Sequence, residues 1–107
     1  MTGLRGQLFW VDLGHGAKPW LVVSNNARNR NLETVIAARV TTTSKNAALP
    51  NAAVPTVVPL ASADPLTGYV LADDLVQLYH DELTKAAGAL SGPTMTAVSA
   101  ALRIALP

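Results

Sequence analysis

The stretch TVIAARVTTT, residues 34–43, constrains the fold more than any other part of the chain. It is rich in β-branched residues and contains neither glycine nor proline, which predicts a strand. Because side chains alternate along a strand, its residues divide into two faces. One face holds Val35, Ala37, Arg39, Thr41 and Thr43, and the other holds Ile36, Ala38, Val40 and Thr42. The second face is the more apolar near its centre, so we expect it to meet the core.

Other short strands lie on both sides of this one. Gln7–Leu13 and Trp20–Ser24 have strand composition, and the short glycine-containing turn between them predicts a hairpin. We expect a mobile loop over residues 45–54 and a short edge strand over Thr56–Leu60, since the prolines there lack a backbone donor. DPLTG, residues 64–68, predicts a turn. Tyr69–Leu78 then predicts one long strand, or two strands with a bulge at Asp73-Asp74.

Helical patterns are confined to the C-terminal part of the chain. Asp81–Ala87 predicts one or two helical turns. Ser91-Gly92 supplies a helix cap, and Pro93 suits the first helical position. An apolar stripe follows at Met95, Val98, Leu102 and Ala105. Five or six short strands before a terminal helix predict a mainly β fold with helix (α+β), a small curved sheet or barrel.

Composition excludes several classes of protein. The chain has 107 residues, a common size for one core, so we expect a single domain over residues 1–107. The absence of cysteine excludes a disulfide scaffold, a thiolate metal site and a cysteine nucleophile. Apolar runs fall far short of the roughly 20 residues of a membrane span, and the N-terminus does not resemble a signal peptide. These patterns favour a cytoplasmic protein with no membrane partner.

The charges are distributed unevenly. Residues 1–45 carry six Lys or Arg and two acidic residues, a net charge of +4, whereas residues 46–107 carry two Lys or Arg and five acidic residues, a net charge of −3. Such asymmetry indicates an anionic ligand on one side of the molecule, or chance in a short chain.

The patterns of several known sites are missing. His15 and His80 are far apart and belong to no HxH or HExxH motif, so we expect no metal site. Asp73 and Asp74 are adjacent and point to opposite faces of a strand, which suits a two-carboxylate metal site poorly. GHGAKP is too short for a Walker or Rossmann phosphate loop. We therefore expect no cofactor.

A set of cationic and hydroxyl side chains remains. Lys18 enters the second predicted strand, and Arg39 shares a face of the third strand with Thr41. If these strands are neighbours, they form a basic face that suits a phosphodiester, because cations stabilise charge that develops on phosphorus. We expect a polar loop at its rim, with Ser24, Asn25, Asn26, Arg28, Asn29 and Arg30. Asn side chains there would hydrogen-bond base edges, and Trp10 and Trp20 would either stack on unpaired bases or pack in the core.

RGQLFWVDL, then KPWLVVSNNARNR, then VIAARVTTT resembles the opening of the MazF/PemK (Kid) family of toxin ribonucleases. Those proteins have Arg-Gly-Asp, a strand ending in Val-Asp-Leu, a loop, Arg-Pro, an apolar strand, an Asn-containing loop and a strand that ends in Thr or Ser. The resemblance continues through DPLTGYVLADDL, which is similar to the family's strand with an acidic residue and Gln, and extends to the terminal helix. The order and spacing of these segments are more specific than any one of them.

The resemblance implies an SH3-like barrel of the MazF/CcdB/Kid type and a cytoplasmic homodimer that cuts single-stranded RNA without a metal. It also implies a cognate antitoxin of the MazE type, whose extended C-terminal segment covers the RNA groove. The family's catalytic pair is the Arg of Arg-Pro and a Ser or Thr at the end of the third strand. Thr41 matches the second residue of this pair, but Lys18 replaces the first.

Two interpretations of Lys18 stay open. In one, Lys18 neutralises the pentacoordinate phosphorane, helped by Arg39. In the other, the site is weakened and the protein chiefly binds, since Lys lacks the planar fork that holds a phosphate bidentately. The loop before Lys18 is also shorter than in the family. It contains His15, which is either merely exposed or moves the 2′-hydroxyl proton or the proton of the leaving 5′-oxygen.

The reaction implied is attack of the RNA 2′-hydroxyl on phosphorus, which gives a 2′,3′-cyclic phosphate (or 3′-phosphate) and a 5′-hydroxyl. Lys18 and Arg39 would offset the developing charge, and Thr41 would hydrogen-bond a phosphate oxygen. Asn25, Arg28, Asn29, Asp73 and Asp74 are candidates for reading bases, although the two aspartates also suit a solvated strand edge or a dimer interface. The alternative functions are a CcdB-like poison of DNA gyrase, which the tail IALP disfavours, and a non-catalytic RNA-binding module.

Overall fold

The computed structural model describes residues 3–42 and 55–106. These residues form six strands, two α-helices and one 3-10 turn. The strands are β1 (Gln7–Asp12), β2 (Ala17–Val22), β3 (Thr34–Thr42), β4 (Val57–Pro59), β5 (Gly68–Tyr79) and β6 (Lys85–Ala89). The helices are α1 (Asn26–Asn31) and α2 (Gly92–Ala105), and the 3-10 turn is His80–Glu82.

The six strands form a single antiparallel sheet in the order β4-β5-β3-β2-β1-β6. The sheet is not closed, because β4 and β6 occupy its two edges. The mainly β fold with a terminal helix is therefore confirmed, and so is the edge position predicted for Thr56–Leu60. β3 pairs with both β2 and β5. This pairing brings Lys18 of β2 and Arg39 of β3 near the acidic residues Asp73 and Asp74 of β5.

Both faces of this sheet are buried, which differs from the single core face predicted for β3. Ala38 and Val40 pack in a cluster under α2, as expected. Val35 and Ala37 belong to a second cluster on the opposite face, where Leu83 covers the sheet. The sequence pattern did not reveal this, because alanine and valine between polar residues fit a half-exposed face as well as a buried one.

Helix α2 begins at the predicted cap and packs its predicted stripe against the sheet, with Thr94 and Ala101 added to the buried face. Its N-terminus is held by Asp64 from the turn before β5. One carboxylate oxygen accepts from Ser91 N at 2.7 Å, and the other accepts from Thr94 Oγ1 at 2.6 Å. Burial would raise the pKa of Asp64, but hydrogen bonds from the Ser91 backbone, the Thr94 side chain and the Ala61 backbone outweigh it and lower this pKa. A carboxylate at a helix N-terminus also complements the helix dipole.

Three predicted elements were wrong in type or extent. β2 begins at Ala17 rather than Trp20, and Pro19 is tolerated there because β3 pairs only with Trp20–Val22. The polar loop after β2 is instead the helix α1, whose N-cap is Asn25. Residues 85–87 of the predicted helical segment instead belong to β6, which pairs with the edge of β1 despite its weak strand propensity. The loop predicted over residues 45–54, and Thr43, lie outside the described residues.

Candidate active site

The hairpin turn between β1 and β2 places His15 and Lys18 at one end of the sheet. Asp12 Oδ1 accepts from Gly14 N at 2.8 Å and from Gly16 N at 3.1 Å, so a single carboxylate fixes the turn. Gly14 and Gly16 have φ values of 109° and 86°, which L side chains rarely adopt. The result is a short rigid turn with the His15 side chain exposed on it.

The register of β2 and β3 brings Lys18 and Arg39 to the same face, as predicted. Trp20 is the direct partner of Arg39, so these two side chains share a face of the sheet. Lys18 lies two residues before Trp20 on β2 and therefore points the same way. The adjacency of the second and third strands, which the sequence prediction only assumed, is confirmed.

An irregularity in β5 adds an acidic residue to this group. Ala38 pairs with Leu75, but the next residue of β3, Arg39, pairs with Leu71. Residues 72–74 therefore form a bulge with no partner on β3, at the position predicted from Asp73-Asp74. Asp74 Oδ2 lies 4.0 Å from Arg39 Nη1, and both side chains are nearly half exposed. Asp74 thus contacts a candidate catalytic cation.

These side chains line one cavity of about 260 Å³, which we call the basic cavity. The residues that line it are Val11, Leu13, His15, Gly16, Lys18, Trp20, Arg39 and Asp74. Three of the four residues predicted to be catalytic are among them: His15, Lys18 and Arg39. Val11 and Leu13 form an apolar wall of the cavity that was not predicted. Both belong to the predicted strand Gln7–Leu13 that leads into the hairpin, and this position could have indicated their place next to Lys18.

Trp20 is buried in this wall. Only 7% of the residue is exposed, and it packs in the cluster that includes Phe9, Val11 and Val22. The prediction that its ring stacks on a base is therefore replaced by its alternative, core packing. The indole Nε1 is buried and has no hydrogen-bond acceptor. An unpaired buried donor costs about 1–3 kcal/mol, so this nitrogen calls for an explanation.

Thr41, the fourth predicted catalytic residue, lies two residues beyond Arg39 on the same face of β3 and is partly buried. It is not among the residues that line the basic cavity. Its backbone is fixed by the close approach of Gly68: a Cβ at position 68 would lie 1.8 Å from the Thr41 carbonyl oxygen. Thr41 therefore lies in a constrained stretch of β3, two residues from Arg39, which lines the basic cavity.

The polar residues after β2 do not form the rim of the basic cavity, which corrects the prediction. Asn25 follows Lys18 by seven residues, beyond the end of β2, and it does not line the basic cavity. Asn29 is only 1% exposed. It accepts a hydrogen bond from the Ser24 hydroxyl and donates to Ser24 O at 3.0 Å, so both residues hold the start of α1 and are unsuited to reading bases.

Three of the predicted RNA-binding residues line a second cavity of about 640 Å³, the Arg5–Arg28 groove. Its lining comprises Arg5, Val23, Ser24, Asn25, Arg28, Ile36, Leu75, Val76, Gln77, Leu102 and Leu106. Val23 and Ile36 alternate with the β2 and β3 residues of the basic cavity, so the two cavities lie on opposite faces of these strands. The guanidinium of Arg28 donates to Thr34 O at 2.8 Å, which limits its freedom to bind RNA.

Two further sequence expectations concern metals and membranes. Within residues 3–42 and 55–106, no three His, Asp or Glu side chains come together as a metal site requires. No helix in the described part of the chain is both long enough and apolar enough to cross a bilayer.

The family model of the PemK-like, MazF-like toxins of type II toxin–antitoxin systems matches residues 4–106. The chain is 48% identical over 103 residues to Endoribonuclease MazF1 of Mycobacterium bovis, covering 96% of this chain and 91% of that protein. The same values hold for Endoribonuclease MazF4 of Mycobacterium tuberculosis.

Solved structures agree with these sequence relatives. A mycobacterial endoribonuclease in complex with its cognate antitoxin has a TM-score of 0.85 at 48% identity, with 98% of this chain and 97% of that chain covered. MazF in a MazE–MazF structure from Deinococcus radiodurans has a TM-score of 0.72 at 24% identity over 95% and 92% of the two chains, which supports the fold alone. The resemblance found in the sequence is confirmed, and the chain belongs to the PemK-like, MazF-like family of type II toxins.

Proposed function

We propose that this chain is the toxin of a type II toxin–antitoxin pair and an endoribonuclease that cuts single-stranded RNA at the basic cavity. The observation that carries the proposal is the convergence of Lys18, Arg39 and His15 on one cavity. Relatives named as endoribonucleases at 48% identity support the activity. The cavity supplies the two things such a reaction needs, cations for phosphorus and an imidazole for protons.

In the proposed reaction, the 2′-hydroxyl oxygen attacks the adjacent phosphorus and the bond from phosphorus to the 5′-oxygen breaks. The 2′-hydroxyl loses its proton, and the leaving 5′-oxygen gains one. Lys18 and Arg39 face the phosphate and stabilise the extra negative charge of the phosphorane. His15 lies on the exposed turn beside Lys18, in reach of a proton donor or acceptor at the mouth of the cavity. The products are a 2′,3′-cyclic phosphate and a 5′-hydroxyl, formed without a metal. If water then attacks phosphorus and breaks its bond to the 2′-oxygen, the cyclic ester opens to a 3′-phosphate.

Thr41 keeps its proposed role as a hydrogen-bond donor to a phosphate oxygen, at the end of β3 next to the cavity. Base reading is retained for the predicted residues with exposed side chains, Asn25 and Asp73. Asn25 also caps α1 by accepting from Arg28 N at 2.8 Å, and a carbonyl oxygen can accept a second bond.

The partners follow from the same proposal. We infer a homodimer that acts on RNA in the cytoplasm and is neutralised by a cognate antitoxin. A related mycobacterial endoribonuclease has been solved with its cognate antitoxin, which supports this partner.

Cleavage of a single-stranded RNA in EDTA by the purified protein tests the activity. We expect Lys18→Ala and Arg39→Ala each to lower the cleavage rate by about 10²–10³-fold, the cost of removing one donor from a developing oxyanion. Lys85→Ala is the matched control, because Lys85 is an exposed lysine on β6 outside the basic cavity. Lys18→Ala and Thr41→Ala should also relieve growth arrest on expression.

Several outcomes would contradict the proposal. Cleavage only with added Mg²⁺ would overturn the metal-free mechanism. Variants of Lys18 and Arg39 that cut as fast as Lys85→Ala would move the site elsewhere. DNA cleavage without RNA degradation in arrested cells would indicate a gyrase poison, and RNA retention without products would indicate a binding module. Mapping 5′-hydroxyl ends across the transcriptome identifies the motif that is cut.

A further inference from the structure

The indole nitrogen of Trp20 is the buried side-chain donor without an acceptor in the described part of the chain. Buried Trp N–H groups usually find a partner, since an unpaired donor in a protein interior is unfavourable. Trp20 is nine-tenths buried and at the same time lines the basic cavity. A donor that the fold leaves unpaired in the wall of a candidate site points to an acceptor supplied by a ligand.

The neighbours of Trp20 define the chemistry of that ligand. Lys18 lies on the same face of β2, and Arg39 is the direct cross-strand partner of Trp20. All three side chains are hydrogen-bond donors that cannot accept. A ligand that satisfies them together must present several acceptor oxygens and carry negative charge. The two non-bridging oxygens of a phosphodiester meet this requirement.

We propose that the Nε1–H of Trp20 donates to a non-bridging oxygen of the scissile phosphodiester and fixes the phosphate relative to Lys18 and Arg39. This proposal rests on the proposed function of the basic cavity. Trp20 then acts through its indole N–H rather than by stacking on a base, because the residue packs in the core. Its bond strengthens as the phosphorane gains negative charge, so Trp20 serves the chemical step as well as binding.

The indole nitrogen is shielded from solvent, so an acceptor reaches it when a neighbouring side chain moves. Arg39 suits this movement, since its side chain is 43% exposed and its contact with Asp74 spans 4.0 Å. We expect an incoming phosphate to compete with Asp74 for the guanidinium and to move the Arg39 side chain within the cavity wall that it shares with Trp20. Binding of RNA and pairing of Trp20 are thereby coupled.

Replacement of Trp20 by 3-benzothienylalanine tests the proposal, because sulfur replaces the N–H group while the ring keeps its shape. We expect at least a tenfold loss of kcat/KM for RNA cleavage with no loss of thermal stability. The same replacement at Trp10 is the control and should leave cleavage unchanged. Trp10 alternates with Phe9 and Val11 on β1, so it lies on the face of the sheet opposite Trp20 and the basic cavity. If Trp20 were needed only for packing, this isosteric replacement would leave kcat/KM unchanged.

Indole ¹⁵N NMR gives a second readout, since the chain contains two tryptophans and thus two indole signals. The probe is a 2′-O-methylated copy of an RNA that the protein cuts, which binds without being cleaved. We expect the Trp20 N–H proton to move downfield on binding more than that of Trp10. The inference is wrong if Lys18→Ala abolishes cleavage, the replacement of Trp20 leaves the cleavage rate unchanged, and the Trp20 indole signal does not move on RNA binding. If Lys18→Ala and Arg39→Ala cut normally, the proposed function itself has failed.

Discussion

Arg39 and Asp74 lie 4.0 Å apart because β5 bulges by three residues opposite β3. Asp74 therefore lines the same cavity as the cations Lys18 and Arg39. It partly neutralises the positive charge that the proposed reaction uses. We therefore expect Asp74 to restrain Arg39, a candidate catalytic residue, rather than to read a base.

Asp74→Asn should tighten the binding of uncleavable RNA. Exposed ion pairs are worth about 0.2–1 kcal/mol, so we expect a Kd lower by roughly 1.5–5-fold. Fluorescence anisotropy with a 2′-O-methylated RNA at low salt measures this. Asp81→Asn is the control, because Asp81 is an exposed aspartate of the 3-10 turn and does not line the basic cavity. Weaker binding or an altered cleavage motif in Asp74→Asn would contradict this prediction and indicate that Asp74 contacts a base.

Gly68→Ala should lower the free energy of unfolding. It should also slow RNA cleavage, because the added methyl group displaces Thr41. Gly68 has a φ of 150°, and a methyl group there would overlap the Thr41 carbonyl oxygen at 1.8 Å. Backbone strain alone costs about 1–3 kcal/mol, and the overlap adds to it. Gly14→Ala is the matched control: its φ is 109°, but no atom lies within 4 Å of the added carbon. Urea denaturation that gives equal losses for both variants would rule out the contact with Thr41.

Asn29→Ala should destabilise the protein without changing which RNA sequence is cut. Its side chain is 1% exposed and bonded to Ser24 on both of its polar atoms. Removing it leaves buried polar groups unpaired, at a cost of about 1–3 kcal/mol. Thermal unfolding and sequencing of cleavage ends from a random RNA pool measure the two properties separately. A stable variant with a new cleavage motif would restore the base-reading role.

Asp64 should make the stability of the protein depend on pH in the acid range. The pKa of Asp64 is lower in the folded state than in the unfolded state, because its hydrogen bonds to Ser91, Thr94 and Ala61 outweigh burial. The folded state therefore binds this proton less readily, and the stabilisation is present above an unfolded pKa of about 3.9 and is lost as pH falls through the lower folded value.

Asp64→Asn should accordingly lower the free energy of unfolding by about 0.5–1.5 kcal/mol at pH 7, because solvent weakens the hydrogen bonds of this partly exposed carboxylate. The difference from the unsubstituted protein should shrink as the pH falls below about 4. Urea denaturation across this range measures it, with the exposed Glu33→Gln as control. A difference that is constant with pH would show that the charge of Asp64 contributes nothing.

The local patterns of the sequence predicted most of the strands, the terminal helix and the family. Strand content is encoded by β-branched runs, and α2 by its proline and its apolar stripe, so both can be recognised without knowing their neighbours. β6 was missed because Lys85–Ala89 has little strand propensity, and its pairing with the edge of β1 decides its conformation. The helix α1 was missed because its asparagines and arginines fit a loop equally well.

By itself, the sequence determined which residues are candidates for the chemistry: Lys18 and Arg39 as cations, His15 as the imidazole, and Thr41 at the end of a strand. Only the tertiary structure decided which of them meet. The register of β2 with β3 joins Lys18, Trp20 and Arg39, and the bulge in β5 adds Asp74. The same pairing separates the cavity from Ser24, Asn25 and Arg28, which line the Arg5–Arg28 groove. Alternation along a strand can be read from residue order, but the burial of a face and the pairing of a bulge depend on contacts between segments far apart in the chain.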